Sequence, residues 1–165
     1  MSGKRRTAEY AESRVIYARD DARRLAMEVA GLEPGVHVDP VAMRVVLEPD
    51  ETAWRRLERL WFRVKVDGAW SAASPGQALL TSRRLLVRLH SGEVFSLWWG
   101  SLVGFDPDLE REHVVLDYGD GAPRAVTGPG AALVAVAGIA SLYGVSALTT
   151  HPALTALRRT AATAG

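Results

Sequence analysis

The sequence predicts an α+β domain. An antiparallel meander or small barrel is expected between an N-terminal amphipathic helix and a C-terminal helix. Three observations predict it. Thr7 to Leu32 places apolar residues three or four positions apart among charged ones, His37 to Thr127 is cut into short runs by turn residues, and Ala131 onward is small and apolar. A length of 165 residues suits one domain with helical additions. The expected divisions are a helical extension over 1–36, a central domain over 37–148 and a short helix with a tail over 149–165.

Each element has a local reason. In the first helix the apolar positions are Ala11, Val15, Ala18, Ala22, Leu25, Met27, Val29 and Leu32, most of them three or four apart, and Gly31 and Pro34 supply stop signals. Val41 to Leu47 is β-prone. Ala53 to Val66 fits two periods: Leu57, Leu60, Trp61 and Val64 suit a helix, whereas Leu60, Phe62, Val64 and Val66 alternate as a strand. The favoured compromise is a charged turn or short helix entering a strand near Leu60. Asp67-Gly68 marks a tight turn with a short return through Trp70.

Strands follow at Ala78–Thr81, Arg84–His90, Val94–Trp99, Ser101–Phe105, His113–Tyr118 and Pro123–Thr127. Their turns fall at Ser82-Arg83, Ser91-Gly92-Glu93 and Gly119-Asp120-Gly121, and Asp106-Pro107-Asp108 is expected to break the Ser101 strand. Ala131 opens a helix striped by Leu133, Val136, Ala140, Tyr143 and Ala147. Gly138 in its interior costs about 1 kcal/mol relative to Ala, which a close approach by a neighbour would explain. Pro152 suits the first turn of a last helix, with Arg158 and Arg159 near its C-terminal end.

Composition bounds the function. Hydrophobic residues make up 48% and charged residues 24%, enough for a real core. The net charge of +1 exerts no global pull on nucleic acid or an anionic membrane. Lys4, Arg5 and Arg6 form only a short basic tail without a nucleic-acid-binding signature. With no cysteine there is no disulfide, thiolate nucleophile or Cys-ligated metal. No apolar stretch follows the basic N-terminus, so a cytoplasmic location is expected. Ala131 to Leu148 reads as a buried, close-packed helix rather than a membrane span, being rich in Ala and Gly and lacking basic flanks.

The run QALLTSRRLLVRLHSGEVFSLWWGSLVGFD, then VVLDYGDGAPRAVTG, then a helix opening PGAALVAV resembles the bacterial PH-like and GRAM-like domains. The matching residues are Leu79, Thr81, Arg84-Leu85, Gly92 and Ser101-Leu102-Val103-Gly104. The resemblance covers 48–144, with 77–127 carrying most of it. The richness in Ala, Arg, Gly and Val is similar to that of actinobacterial proteins. The resemblance implies a strongly bent antiparallel sheet capped by one helix, and a non-enzymatic module for protein–protein interaction or self-assembly. The alternative it implies is binding of a phospholipid headgroup or other anion, with peripheral attachment to a membrane.

Candidate residues follow. Arg83, Arg84 and Arg88 are the candidate anion- or lipid-binding group, since several converging donors suit phosphate or carboxylate; Glu93, Asp106 and Asp108 could instead neutralise them. Trp54, Trp61, Trp98 and Trp99 are candidate interface anchors or core filler, with Trp98 and Trp99 facing opposite ways on one strand. The acidic run Asp106, Asp108, Glu110 and Glu112 lacks the spacing of a calcium loop, and His37, His90, His113 and His151 lack metal-ligand spacing. No nucleophile–base set, paired carboxylates or phosphate loop stands out. No cofactor or catalytic residue is therefore expected, and a small enzyme on the concave side of the sheet is the remaining alternative.

Overall fold

The computed structural model describes residues 2–162; the expected tail at 163–165 lies outside the described residues. Helix α1 (Ser2–Val29) is followed by strands β1 (Ala53–Val66), β2 (Ala69–Trp70), β3 (Ser74–Thr81), β4 (Arg84–Leu89) and β5 (Val94–Trp98). A 3₁₀ turn at Trp99–Ser101 leads to β6 (Gly104–Asp108), β7 (His113–Asp117) and β8 (Arg124–Thr127). Helix α2 (Ala131–Tyr143), two 3₁₀ turns and α3 (Thr155–Ala162) complete the chain.

The strands form one antiparallel sheet in the order β5-β4-β3-β1-β8-β7-β6, with β2 paired to β1 off this path. The expected small barrel is not formed. The two end strands, β5 and β6, are not paired with each other. The chain between them turns through Trp99–Ser101 instead of laying down a ladder, so the sheet stays open.

The helix α2 explains the layering. Every residue from Ala131 to Ile139 is buried. One side meets β3, β6 and β7, and α1 lies over it in the same chain, with α1 also touching α3. Because α2 is covered on both sides it is apolar all round, as an internal helix must be. Ala18, Ala22 and Leu25 are the buried stripe of α1, while its first turns stand exposed. A smaller cluster of Met43, Leu79 and Leu86 closes the other face of β3 and β4 beneath the connection from α1 to β1.

Several sequence expectations change. Val41 to Leu47 is a turn over 41–44 followed by irregular chain, not a strand. Pro40 O accepts from both Met43 N (3.1 Å) and Val45 N (3.0 Å), and Asp39 Oδ1 accepts from Val41 N (2.9 Å), so local bonds satisfy this backbone. Ala53–Val66 is a strand throughout, without an entering helix. Its register shifts between Leu57 and Leu60, where Arg59 takes φ +59°. This bulge spaces two core leucines three residues apart, which mimicked a helical period. Trp99 leaves the sheet for the 3₁₀ turn, so it is not the strand neighbour of Trp98. The Ser101–Phe105 strand shifts to Gly104–Asp108 and includes Asp106-Pro107-Asp108. Pro107 is tolerated because β6 ends the sheet and needs no partner on its outer side.

The Asp67-Gly68 turn does form, with φ +51° and +79°, and pairs Lys65 with Trp70. Gly138 is the expected close approach: an added Cβ would stand 2.2 Å from Cζ of Phe105. Gly138→Ala should therefore destabilise despite its better helix propensity, by about 1–3 kcal/mol from overpacking. Denaturant unfolding of G138A and of G138A with Phe105→Leu checks this, with recovery expected in the double variant.

A buried ion pair fixes α1 to the sheet. Arg55, on β1, donates from Nε to Asp21 Oδ1 (3.0 Å) and from Nη2 to Glu28 Oε1 (2.6 Å). Its Nη1 donates to Glu28 Oε2 (2.9 Å) and to the Trp54 carbonyl (2.7 Å). The Glu28 hydrogen bonds outweigh the burial that would lower its pKa, and the guanidinium is held above its ordinary value. Arg55→Met should cost about 3–5 kcal/mol in denaturant unfolding, because Glu28 then stays buried without a counter-charge.

Candidate functional site

The arginine group is built into the fold rather than gathered around a free space. Arg84 and Leu86 share one face of β4 with Arg88, and Arg83 sits in the turn before it. Arg84 is buried, and its donors are committed. Nε reaches Glu51 Oε1 (2.8 Å), Nη2 reaches Glu51 Oε2 (3.2 Å) and the Val46 carbonyl (2.9 Å), and Nη1 reaches Ser96 Oγ (3.1 Å). Its guanidinium also lies 4.5 Å from the Trp98 ring centroid, a cation–π contact. Arg83 pairs with Asp50. Arg88 is half-buried and has no ion-pair partner among the described residues. The neutralising acids are thus Asp50 and Glu51, not Glu93, Asp106 or Asp108. Asp50-Glu51 lies thirty-odd residues upstream of the arginines, so nothing in the local sequence around them signals the pairing.

Glu51 is the centre of this latch. Its side chain is fully buried, and it accepts from Thr81 Oγ1 (2.6 Å) and from its neighbour Glu48 N (2.8 Å). Burial pushes its carboxyl up, but the bonds from Arg84, Thr81 and Glu48 together outweigh burial and hold it below the ordinary 4.5. The stability it adds is therefore complete above that ordinary value and is lost as pH falls through the lower folded value. Glu51→Gln should destabilise by about 3–5 kcal/mol near neutral pH by stranding Arg84. The gap between wild type and E51Q in denaturant unfolding should then shrink as the pH drops below 4.5.

The tryptophans divide. Trp99 is buried and donates from Nε1 to the Thr81 carbonyl (3.1 Å). Trp54 is half-buried against the main core. Trp61 is 39% exposed beside α1, and Trp70, equally exposed, lies under Lys65 Nζ at 5.6 Å. Trp98 is half-buried at the edge of the sheet and lines a cleft.

That cleft is the clearest concave site. It encloses about 490 Å³ between β5 and the turn joining β7 to β8. Phe62, Phe95, Leu97, Trp98 and Tyr118 line it, and Arg63, Arg124, Glu93 and Asp120 also border it. The register explains the gathering. Phe62 pairs with Val126, Phe95 pairs with Val87, and the two phenylalanines meet edge to face at 6.0 Å across the intervening strands. Arg124 donates to Asp120 Oδ2 (2.5 Å) and lies 5.3 Å from the Tyr118 ring centroid. Tyr118 donates its hydroxyl to the Trp98 carbonyl (3.2 Å), a single bond spanning the open part of the sheet. Burial pushes the Tyr118 phenol up to about 12, against the pull of the Arg124 cation, so it remains a donor at neutral pH.

An apolar floor with a few polar groups at its border is the ordinary form of a binding cleft. Of the sequence candidates only Trp98 reaches it. Phe62, Phe95 and Tyr118 were read as strand residues without a shared destination. Among the described residues no group of three His, Asp or Glu side chains could hold a metal ion. His151 is used structurally, its Nδ1 accepting from Ala153 N (3.1 Å) at the start of the last helical segment. No described helix is long and apolar enough to cross a membrane. Comparison with known protein families finds none that matches the chain, and none of the curated proteins matches it either.

Proposed function

We propose that the chain is a non-enzymatic PH-like module that binds a protein partner through the cleft beside β5. The observation that carries this reading is the joint presence of five large apolar side chains and a mixed-charge border in one open cleft. Aromatic side chains at a partly buried site supply most of the energy of a protein interface, and flanking charges supply selectivity. The strand order followed by a helix seated on the sheet supports the PH-like part of the reading. The commitment of Arg83 and Arg84 to Asp50 and Glu51 favours the cleft over the arginines as the binding surface.

Selection of a random linear peptide library on the full-length chain tests this. Ser101 is exposed and lines the cleft, so Ser101→Trp plugs it without altering the core. Enriched peptides should lose about tenfold or more in affinity to S101W, measured by fluorescence anisotropy. Arg111→Glu, outside the cleft, should leave binding unchanged. No enrichment over an unrelated protein, or binding indifferent to S101W, would overturn the proposal.

A further inference from the structure

The two ends of the sheet are treated differently. At one end, β6 carries Asp106, Pro107 and Asp108, which are devices that blunt a strand edge. At the other, β5 reads Val94-Phe95-Ser96-Leu97-Trp98, with no proline and no charge. Its outer edge runs along the aromatic cleft, since Phe95, Ser96, Leu97 and Trp98 all line that space.

The ladder shows which backbone groups are free there. Leu89 N donates to Glu93 O (2.9 Å) and Trp99 N donates to Arg83 O (3.0 Å), framing the register Leu85↔Leu97 and Val87↔Phe95. Phe95 and Leu97 therefore turn their N–H and C=O toward β4, with the Glu93 carbonyl and the Trp99 N–H continuing the ladder on either side. The alternate residues Val94, Ser96 and Trp98 turn theirs away. The Trp98 carbonyl is the one that accepts from Tyr118 across the gap, which agrees with this direction. No strand pairs with the outward groups of Val94 and Ser96 among the described residues.

We infer that an extended segment of a partner protein adds to β5 as a further strand, bonding to the outward groups of Val94 and Ser96 and laying alternate apolar side chains over Phe62, Phe95 and Tyr118. Main-chain bonds supply affinity in such an arrangement, and the side-chain spaces supply selectivity at every second residue. The Tyr118–Trp98 bond marks where the added strand ends. An unguarded edge beside an apolar floor fits this partner better than a helix, which has no free backbone groups to offer the edge. The inference rests on the protein-binding reading of the cleft, and names the conformation and bonding of its ligand.

The test uses the tightest peptide selected on the full-length chain, remade with single N-methyl groups along its length. Pairing predicts an alternating pattern, with about tenfold or greater loss at every second position and little change between. On the protein side, Ser96→Pro removes an outward N–H that the ladder with β4 does not use, whereas Ser96→Ala removes only the hydroxyl. S96P should abolish binding and S96A should retain it. Peptides that bind and respond to S101W, yet tolerate N-methylation at every position, would overturn strand addition while leaving the protein-binding reading intact. Absence of any selected peptide would overturn both. The N-methyl series decides the matter even where S96P fails to fold.

Discussion

The constraint on which this structure depends is the burial of α2 on all sides. A helix with nine consecutive buried residues needs apolar surface both below and above it. The sheet supplies the lower surface, and α1 must supply the upper one. This makes the N-terminal helix part of the core layer rather than an appendage, even though its first turns are exposed. The Gly138–Phe105 contact shows how closely the lower surface approaches.

Two buried guanidinium groups then hold the layers in place. Arg55 ties β1 to Asp21 and Glu28 of α1, and Arg84 ties β4 to Glu51 and the preceding loop. Burying a charge is unfavourable unless its bonds are complete, so each latch specifies one placement of the segment it holds. The same bonding withdraws Arg84 from solvent. A basic cluster that looks available in the sequence is thus partly a structural one. Binding potential moves instead to the unclosed part of the sheet, where β5 lies beside aromatic side chains and one Tyr118 hydrogen bond spans the opening.

The legible parts of this fold share a feature: each depends on residues close together in sequence. The α1 stripe through Ala18, Ala22 and Leu25 and the Asp67-Gly68 and Ser91-Gly92-Glu93 turns follow from local spacing, and Gly138 signals a close approach whose partner, Phe105, only the fold supplies. The departures have two sources. The bulge at Arg59, set by pairing with β3, converts an alternating strand into a pattern with a helical step, whereas Asp39 and Pro40 turn a β-prone run back on itself through local side-chain and backbone bonds that outweigh its strand propensity. Trp98 was the one cleft residue picked out beforehand, since Phe62 and Phe95 meet only once four strands are in register.

By itself the sequence determined that the small, apolar run opening at Ala131 packs inside, that a striped helix must cover something, and that short strands lie between them. Only the tertiary structure decided that the sheet stays open, that Asp50 and Glu51 neutralise Arg83 and Arg84, and that β5 keeps an unpaired edge against an aromatic cleft. The reason is physical. Periodicity and turn chemistry act over a few residues, whereas pairing across a sheet depends on the register and curvature of every strand between the partners.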